Sequence, residues 1–192
     1  AVTMVAGAVL AGPVLAQDFP TRPVTWVVPF TPGGITDMRS RLIAESFGEA
    51  LGQQVIVENR PGAGGTVGTE YVARTPADGY TLIYGSLGIL AAAPALYADL
   101  QFDPLEDFDP VHMMGQTPNT ILVSNNAPFA SIEELVEYGR ANPGAITAGS
   151  AGVSTGTHLA LELFAGVAGI EVLHVPYQGS APAMNDLLAG RI

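Results

Sequence analysis

The stretch from residue 24 to residue 52 carries three local signals in succession, and few folds accommodate all three. A short apolar run over residues 24–29 is followed by a glycine turn at Gly33 and Gly34. An apolar pattern with helical period then covers residues 36–51, and Gly52 stands where helices commonly end in a left-handed residue. The sequence therefore predicts a strand, a tight turn and a helix in that order.

A helix that begins directly after such a turn offers unpaired backbone donors. Its first N–H groups have no intrahelical partner, and together with the helix dipole they attract an anion. Gly33 and Gly34 have no Cβ, so a ligand can approach the backbone closely there. On this segment alone, the alternative that the turn merely joins two elements stays open. The apolar face that we expect this helix to bury consists of Met38, Leu42, Ile43, Phe47, Ala50 and Leu51.

The rest of the chain continues the alternation of strand and helix. Further strands are predicted over residues 54–59, 81–85, 145–150 and 172–176. Further helices are predicted over residues 66–74, 89–97 and 158–168, with two more that are opened by a capping box at 131–134 and by Ser180. We expect Leu159, Leu163, Phe164, Met184, Leu187 and Leu188 on buried helix faces. This order predicts an α/β fold with parallel sheets flanked by helices.

Residues 99–110 interrupt this rhythm with five acidic residues and two prolines. Residues 111–115 and 120–124, which follow, have an extended pattern. We interpret this region as the crossing between two lobes, and assign residues 17–118 to the N-terminal part of a first lobe and residues 119–192 to a second lobe. Because the chain stops just after a helical pattern, we expect the C-terminal part of the fold to be missing.

Residues 1–16 are uncharged and mostly apolar, and they end in small residues before Gln17. This composition is typical of the apolar part of a cleaved secretory signal peptide. A membrane anchor is the competing interpretation, but the run is short and Gly12 and Pro13 interrupt it. We therefore expect an exported, periplasmic protein.

The charge of the chain limits its partners. The formal net charge is −11, with seven arginines, no lysine and eighteen acidic residues. Such a chain is expected to avoid nucleic acid and anionic membrane surfaces. An anionic ligand would have to be held by local backbone dipoles, so we expect binding to depend on the backbone at Gly33 and Gly34 more than on Arg60. The absence of cysteine excludes disulfides and thiolate chemistry.

Five loops follow the predicted strands, at the sheet edge where open α/β folds bind ligands. They cover residues 32–37, 61–65, 86–88, 150–158 and 177–180, and they offer glycine backbone and hydroxyl groups rather than lysine or arginine. This inventory favours binding over catalysis. We predict no cofactor, and no metal centre because His112, His158 and His174 are scattered along the sequence, with His112 and His174 inside strand patterns.

Two catalytic interpretations compete with binding. Residues 148–152 approximate a nucleophile elbow around Ser150, which would make the protein an exported α/β hydrolase. Asp186 follows that serine, but no histidine follows Asp186 in this chain, as the usual order of a hydrolase triad requires. Residues 62–68 resemble a dinucleotide fingerprint, but their glycine spacing is wrong.

Five ordered motifs together carry a more specific signal than any single loop. They are PFTPGGITD at 29–37, ENRPGAGG at 58–65, ADGYTL at 77–82, THLALELF at 157–164 and VPYQGSAP at 175–182. In these motifs the chain resembles the Bug family of periplasmic solute receptors, which serve tripartite tricarboxylate transporters. The resemblance covers residues 19–192.

The resemblance implies a two-lobed periplasmic binding protein of type II, which closes on a small organic carboxylate and delivers it to membrane transporter subunits. It implies a ligand carboxylate held largely by backbone amides and water at residues 30–37 and 150–158. We expect the protein to be a monomer. From the loops and the resemblance together, the expected ligand contacts are Phe30, Thr31, Pro32, Gly33, Gly34, Asp37, Ser86, Ser150, Gly152, Ser154, Thr155, His158 and Tyr177.

Overall fold

Two separate parallel sheets organise residues 19–115 and 118–192, which are the residues described by this computed structural model. The first sheet has the order β2-β1-β3, built from β1 (Val24–Val28), β2 (Val55–Asn59) and β3 (Thr81–Ile83). The second pairs β4 (Ile146–Ser150) with β5 (Val172–Pro176). All strand pairs are parallel, so the loops after β1, β2 and β3 leave one edge of their sheet, and those after β4 and β5 leave one edge of theirs.

Helices connect the strands, as the sequence predicts. They are α1 (Ile35–Leu51), α2 (Thr66–Ala73), α3 (Ala93–Leu96), α4 (Ile132–Ala141), α5 (Gly156–Ala168) and α6 (Ser180–Leu188). A short 3₁₀ turn, Ala63–Gly65, leads into α2, and a π-helical turn, Gly88–Ala92, leads into α3. The predicted α/β fold is confirmed, and when the short turns before α2 and α3 are counted with their helices, the element ends lie within three residues of the predicted ends.

The core of the first sheet is built on β1. Val24, Val27 and Val28 are almost completely buried, as expected for a central parallel strand that is covered on both faces. Beyond the strand, Phe30 packs with Val28 and with Ile89 of the π-helical turn. The same cluster contains Phe102, so part of the acidic segment after residue 99 folds back on this core.

The buried face of α1 differs from the predicted one. Met38 and Leu42, expected to be buried, are exposed, and the helix buries Asp37, Ser40 and Ala44 instead. These three residues lie three and four positions apart, so they share one face. Small and polar side chains let α1 lie close to β1 and β2, and Asp37 can then reach polar partners on the sheet, which hydropathy alone does not reveal.

Other expectations of burial and pairing were also wrong. Leu163 of α5 and Leu188 of α6 are exposed, and Met184 is also exposed. Residues 111–115 and 120–124 form no strand in the part of the chain that the structure describes, and His112 is exposed there rather than inside a strand. An extended apolar pattern becomes a strand only where a neighbouring strand satisfies its backbone.

Helix ends follow local chemistry in most cases. Gly52 ends α1 in the left-handed conformation, with φ 67°. Ser131 caps α4, since its side chain accepts from the Glu134 amide at 3.2 Å. Ser180 does not cap α6, contrary to expectation: the helix begins at Ser180 itself, and the hydroxyl bonds elsewhere.

Two further sequence-based expectations concern membranes. Among residues 19–115 and 118–192, no helix is both long enough and apolar enough to cross a bilayer. The signal-like segment, residues 1–16, lies outside the described residues.

The central position of β1 predicts a clear difference between two chemically identical substitutions. Val27→Ala removes two methyl groups from a side chain that is 0% exposed, and should lower the free energy of unfolding by about 2 kcal/mol. Val167→Ala in α5 removes the same groups from a side chain that is 81% exposed, and should change it by less than about 0.5 kcal/mol. Chemical denaturation of both variants measures this, and equal effects would contradict the assignment of the core to β1.

Candidate functional site

The five loops that the sequence singled out meet between the two sheets. The Thr31 amide, after β1, donates to the Gln178 carbonyl, after β5, at 3.1 Å. The Ile35 amide, in the first turn of α1, donates to Ser180 Oγ at 3.2 Å. We call this meeting region the loop seam, formed by residues 31–35, 62–65 and 86–89 on the side of the first sheet and by residues 150–157 and 177–180 on the other.

Backbone approaches backbone within the loop seam. A Cβ at Gly64 would collide with the Val153 carbonyl oxygen, and a Cβ at Gly88 would collide with the Ser154 carbonyl oxygen. A Cβ at Gly152 would lie 2.8 Å from the Tyr177 carbonyl oxygen. Glycine is thus required at these positions by the space available, in addition to any role in turns.

Asp37 joins the β1 loop to the first sheet. Its side chain is only 4% exposed, and Oδ2 accepts from the Gly33 amide at 2.9 Å. Oδ1 accepts from Asn59 Nδ2 at 2.9 Å and lies 2.9 Å from Arg41 Nη2. Asn59 Nδ2 also donates to the Phe30 carbonyl at 3.1 Å, so Asp37 and its partner Asn59 together hold both ends of the turn.

These contacts determine the charge state of Asp37. Burial alone would raise the pKa of the Asp37 carboxyl, but the hydrogen bonds it accepts, that from Arg41 first, and the charge of Arg41 together hold the pKa below its ordinary value of 3.8. Its contribution to stability is therefore present above pH 3.8 and is lost as the pH falls through the lowered pKa. At neutral pH Asp37 is an anion whose two oxygens already have hydrogen-bond partners. This suits a role in positioning the β1 loop.

The loop after β4 is held together by its own hydroxyl groups. Ser150 Oγ accepts from the Gly152 amide at 3.1 Å, and Thr155 Oγ1 donates to the Gly152 carbonyl at 2.6 Å. The Ala151 amide donates to Thr157 Oγ1 at 2.9 Å. Thr155 is also the N-cap of α5, so the loop leads directly into a helix N-terminus.

Two histidines lie beneath this loop. His158 of α5 and His174 of β5 stack, with ring centroids 4.3 Å apart and planes at 22°. His174 Nε2 lies 2.7 Å from Ser150 Oγ, and His158 Nδ1 accepts from the Ser154 amide at 3.3 Å. Burial first, and then the neighbouring His158, lower the pKa of His174, with Glu162 acting in the opposite direction.

Although His158 and His174 are far apart in the sequence, they are neighbours in the structure. Donor atoms of His158, Glu162 and His174 lie within 4.8 Å of one another, which is close enough to consider a metal ion. However, His158 Nδ1 accepts a hydrogen bond, so its proton is on Nε2, the nitrogen that faces Glu162 at 3.5 Å. That nitrogen has no lone pair to offer unless the Ser154 bond breaks, so the cluster suits a hydrogen-bonded network better than a metal centre.

Two buried hydroxyl groups in the loop seam have no hydrogen-bond partner in the part of the chain that the structure describes. They are Thr31 Oγ1 and Ser154 Oγ, one on each side of the seam. Ser154 is completely buried and has φ 67°, a left-handed conformation that is unusual for a residue other than glycine. Leaving a buried hydroxyl unpaired is costly, so each of these two hydroxyls calls for an explanation such as a bound group or water.

A small cavity of about 180 Å³ opens at the loop seam. It lies between residues 63–64 and Tyr97 on one side and residues 152–153 and 176–178 on the other. Since a liquid water occupies about 30 Å³, the space corresponds to about six waters, or a small organic acid. A broader concave surface along the outer side of α1 and β2 contains none of the predicted ligand residues.

The remaining predicted residues have mixed surroundings. The Phe30 ring packs in the core, whereas Pro32 and Gly33 are exposed at the rim. Ser86 Oγ accepts weakly from the Ile89 amide, at 3.4 Å. The Tyr177 hydroxyl donates to Asp186 at 2.7 Å, and this bond, followed by burial, raises the pKa of Tyr177.

Arg60 does not enter the loop seam. Its guanidinium stacks on the Tyr71 ring at 3.5 Å and pairs with Glu58 at 2.6 Å. Sequence reasoning missed several residues that do shape the seam: Asn59, Gly64, Gly88, His174, Gln178 and Ser180. Their position in the sequence could have identified them, because most of them end a strand or lie in one of the five selected loops.

Two parallel sheets whose loops meet at a seam with a small cavity form the two-lobed α/β architecture of periplasmic binding proteins. The chain belongs to the tripartite tricarboxylate transporter receptor family: the family model TctC, described as "Tripartite tricarboxylate transporter family receptor", matches residues 39–192. Similar solved structures include one described as "Structure of periplasmic binding protein BugD", with a TM-score of 0.80 at 38% identity, covering 91% of this chain and 58% of that one.

Individual relatives agree with this assignment. Protein BugT of Bordetella pertussis is 38% identical over 187 residues, covering 97% of this chain and 57% of that protein, which confirms the Bug resemblance. The structure of R. palustris Rpa4515 with adipate has a TM-score of 0.88 at 43% identity, covering 91% of this chain and 58% of that one. MatC (Rpa3494) from Rhodopseudomonas palustris with bound malate has a TM-score of 0.84 at 35% identity, covering 91% and 59%. The chain spans about half the length of the curated relatives it matches.

The glycine contacts predict a strong positional effect. Gly88→Ala adds a Cβ against the Ser154 carbonyl and should destabilise the protein by about 1–3 kcal/mol by forcing the seam apart. Gly166→Ala in α5 adds the same group where nothing lies within 4 Å, and should be neutral or stabilising by up to about 1 kcal/mol. Urea denaturation of the two variants measures the difference. A neutral Gly88→Ala would mean that the loops do not pack as described.

Proposed function

We propose that this protein is a periplasmic receptor which binds a small organic dicarboxylate at the loop seam and delivers it to a tripartite membrane transporter. The observation that carries the proposal is that the loops which open α1 and α5 both contact the loop after β5, in a region that contains unpaired hydroxyls and a small cavity. Helix N-termini attract carboxylates without any cationic side chain.

The backbone of both loops supports this role. A Cβ built at Gly33 or at Gly156 would meet nothing within 4 Å, so the chain there borders open space. Gly156 opens α5, and the first-turn amides of a helix have no intrahelical partner. Binding through such donors, with Thr31 and Ser154 hydroxyls beside them, is compatible with a chain whose net charge is −11, because the attraction acts only at short range.

The relatives narrow the chemistry of the ligand. One similar structure was solved with adipate and another with malate, and both ligands are dicarboxylates. The family to which the chain belongs supports delivery to a transporter as part of this proposal. Export through a signal peptide at residues 1–16, a monomeric state and a lobe boundary at residues 118–119 complete the proposal, and each rests on sequence reasoning.

One observation favours the hydrolase alternative, and two others count against it. His174 Nε2 lies 2.7 Å from Ser150 Oγ, a serine–histidine pair that the chain-order argument did not anticipate. Yet Ser150 is only 2% exposed, and its oxygen also accepts from the Gly152 amide. In the described residues no carboxylate bonds to the other ring nitrogen of His174, so the pair lacks the third member of a triad.

Ligand binding should depend on the seam and not on Arg60. Gly34 has φ −78°, so a side chain there is not strained; instead its Cβ would lie 2.9 Å from Ser180 Oγ and would disturb the Ile35 bond to that oxygen. Gly34→Val should therefore weaken adipate or malate binding by about tenfold or more, which corresponds to about 1.4 kcal/mol. Arg60→Ala should change it by less than about threefold.

Calorimetry with adipate and malate on the purified protein and both variants measures these affinities. Thermal melts check that Gly34→Val remains folded. Loss of binding in Arg60→Ala with near-normal binding in Gly34→Val would show that an ion pair, rather than the backbone, holds the ligand.

Ser150→Ala separates the two candidate functions. As a structural hydroxyl, Ser150 should cost about 1–3 kcal/mol of stability when removed, because the buried Gly152 amide loses its acceptor. As a nucleophile, it should abolish ester hydrolysis. A panel of ester substrates and urea denaturation of both proteins give the answer, and turnover by the wild type that Ser150→Ala eliminates would overturn the receptor assignment.

A further inference from the structure

One hydrogen bond from the loop after β4 to a side chain of helix α5 helps to set the shape of that loop. His158 Nδ1 accepts from the Ser154 amide at 3.3 Å. Ser154 has φ 67°, and a non-glycine residue adopts this left-handed conformation only when its surroundings impose it. The imidazole is the group that bonds the amide of this residue, so it helps to hold the backbone there.

Ser154 transmits this conformation to the seam. Its carbonyl oxygen packs against Gly88, and its hydroxyl lies 2.8 Å from the position of a Cβ on Gly64. The hydroxyl is one of the two unpaired buried hydroxyls of the seam. A change in the Ser154 backbone would therefore displace the Ser154 hydroxyl. It would also disturb the two contacts that Ser154 makes across the seam, with Gly64 and with Gly88.

The bond requires a neutral imidazole. Nδ1 can accept only without a proton, so the single ring proton of His158 is on Nε2, which faces Glu162 of the same helix at 3.5 Å. From β5, the titratable group that faces His158 is His174, stacked at 4.3 Å. His174 is itself held by Ser150 at 2.7 Å, which fixes the ring against which His158 packs.

Protonation would oppose this arrangement in two ways. A proton on Nδ1 would point at the Ser154 N–H, so two donors would face each other and the bond would be lost. A positive charge on His158 would also stand against His174, whose pKa is lowered first by burial and then by His158. Because the folded-state pKa of His174 is below the ordinary 6.5, stability is present above pH 6.5 and is lost as the pH falls through the lowered value.

We propose that His158 is a positioning residue of the ligand site: its neutral imidazole, stacked on His174, holds Ser154 in the backbone conformation that its contacts with Gly64 and Gly88 require, and protonation of His158 releases Ser154. The inference rests on the proposed function, since it assumes that the ligand binds at the seam. It assigns His158 no direct contact with the ligand. The consequence is a receptor that holds its ligand less tightly as the pH falls.

The test compares an acceptor that cannot titrate with a side chain that cannot accept. In His158→Asn the amide oxygen takes approximately the place of Nδ1 and can accept from Ser154 at any pH. In His158→Leu a side chain of similar bulk offers no acceptor. His112→Asn is the matched control, because it removes an exposed imidazole outside the loop seam.

Calorimetry with adipate and malate between pH 8.0 and pH 6.0 provides the measurement, since carboxyl groups of ordinary pKa stay largely ionised in this range. Wild type and His112→Asn should lose affinity by about threefold or more as imidazoles gain protons. His158→Asn should bind within about threefold of wild type at pH 8.0 and should show little pH dependence. His158→Leu should bind about tenfold or more weakly at both pH values, while thermal melts report whether it is folded.

Three outcomes would overturn the proposal. They are normal binding by His158→Leu, a wild-type pH profile in His158→Asn, and a flat profile in the wild type. Nitrogen NMR of the ligand-free protein at pH 8.0 provides an independent readout, because unprotonated Nδ1 and protonated Nε2 have distinct chemical shifts. If the wild type binds neither acid at any pH, the proposed function fails, and the spectrum alone decides: a proton on Nδ1 of His158 would refute the positioning role.

Discussion

Contact between backbones at the loop seam is the constraint on which the rest of this structure depends. The loops after β2 and β3 touch the loop after β4 at Gly64 and Gly88, where even one methyl group would overlap a carbonyl oxygen. The loops that open α1 and α5 both contact the loop after β5, and this packing buries hydroxyls that would otherwise bond to water. The glycines of this chain therefore set the distance between its two sheets as well as the shape of individual turns.

The strong acidity of the chain is compatible with the proposed anion site, because the buried carboxylate of Asp37 is already paired. Asp37 is the nearest buried carboxylate, and Arg41, Asn59 and the Gly33 amide saturate it. Burial opposes ionisation, but the hydrogen bonds and Arg41 lower the pKa of Asp37, so its ionised form is favoured over the protonated form at neutral pH. The negative charge thus stabilises the β1 turn, and the net charge of −11 acts mainly at long range, where salt screens it.

The serine–histidine pair illustrates how similar groups serve different purposes. Ser150 and His174 have the separation of a catalytic pair, but the serine is buried and its oxygen completes the loop that precedes α5. Stacking of His174 on His158 continues this network to the Ser154 amide. The pair belongs to a chain of contacts from β5 to the seam, which is consistent with a family of binding proteins.

The sequence by itself determined the order of strands and helices, the loops that meet, and the family, because these follow from periodicity, glycine positions and five motifs in order. It did not determine which side of α1 is buried, since Asp37 and Ser40 face the sheet where hydropathy favoured Met38 and Leu42. His158 and His174 are sixteen positions apart in the sequence, which gives no sign that they touch. Only the parallel pairing of β4 with β5 and the packing of α5 bring them together. Contacts between distant residues depend on tertiary packing, which local patterns do not encode.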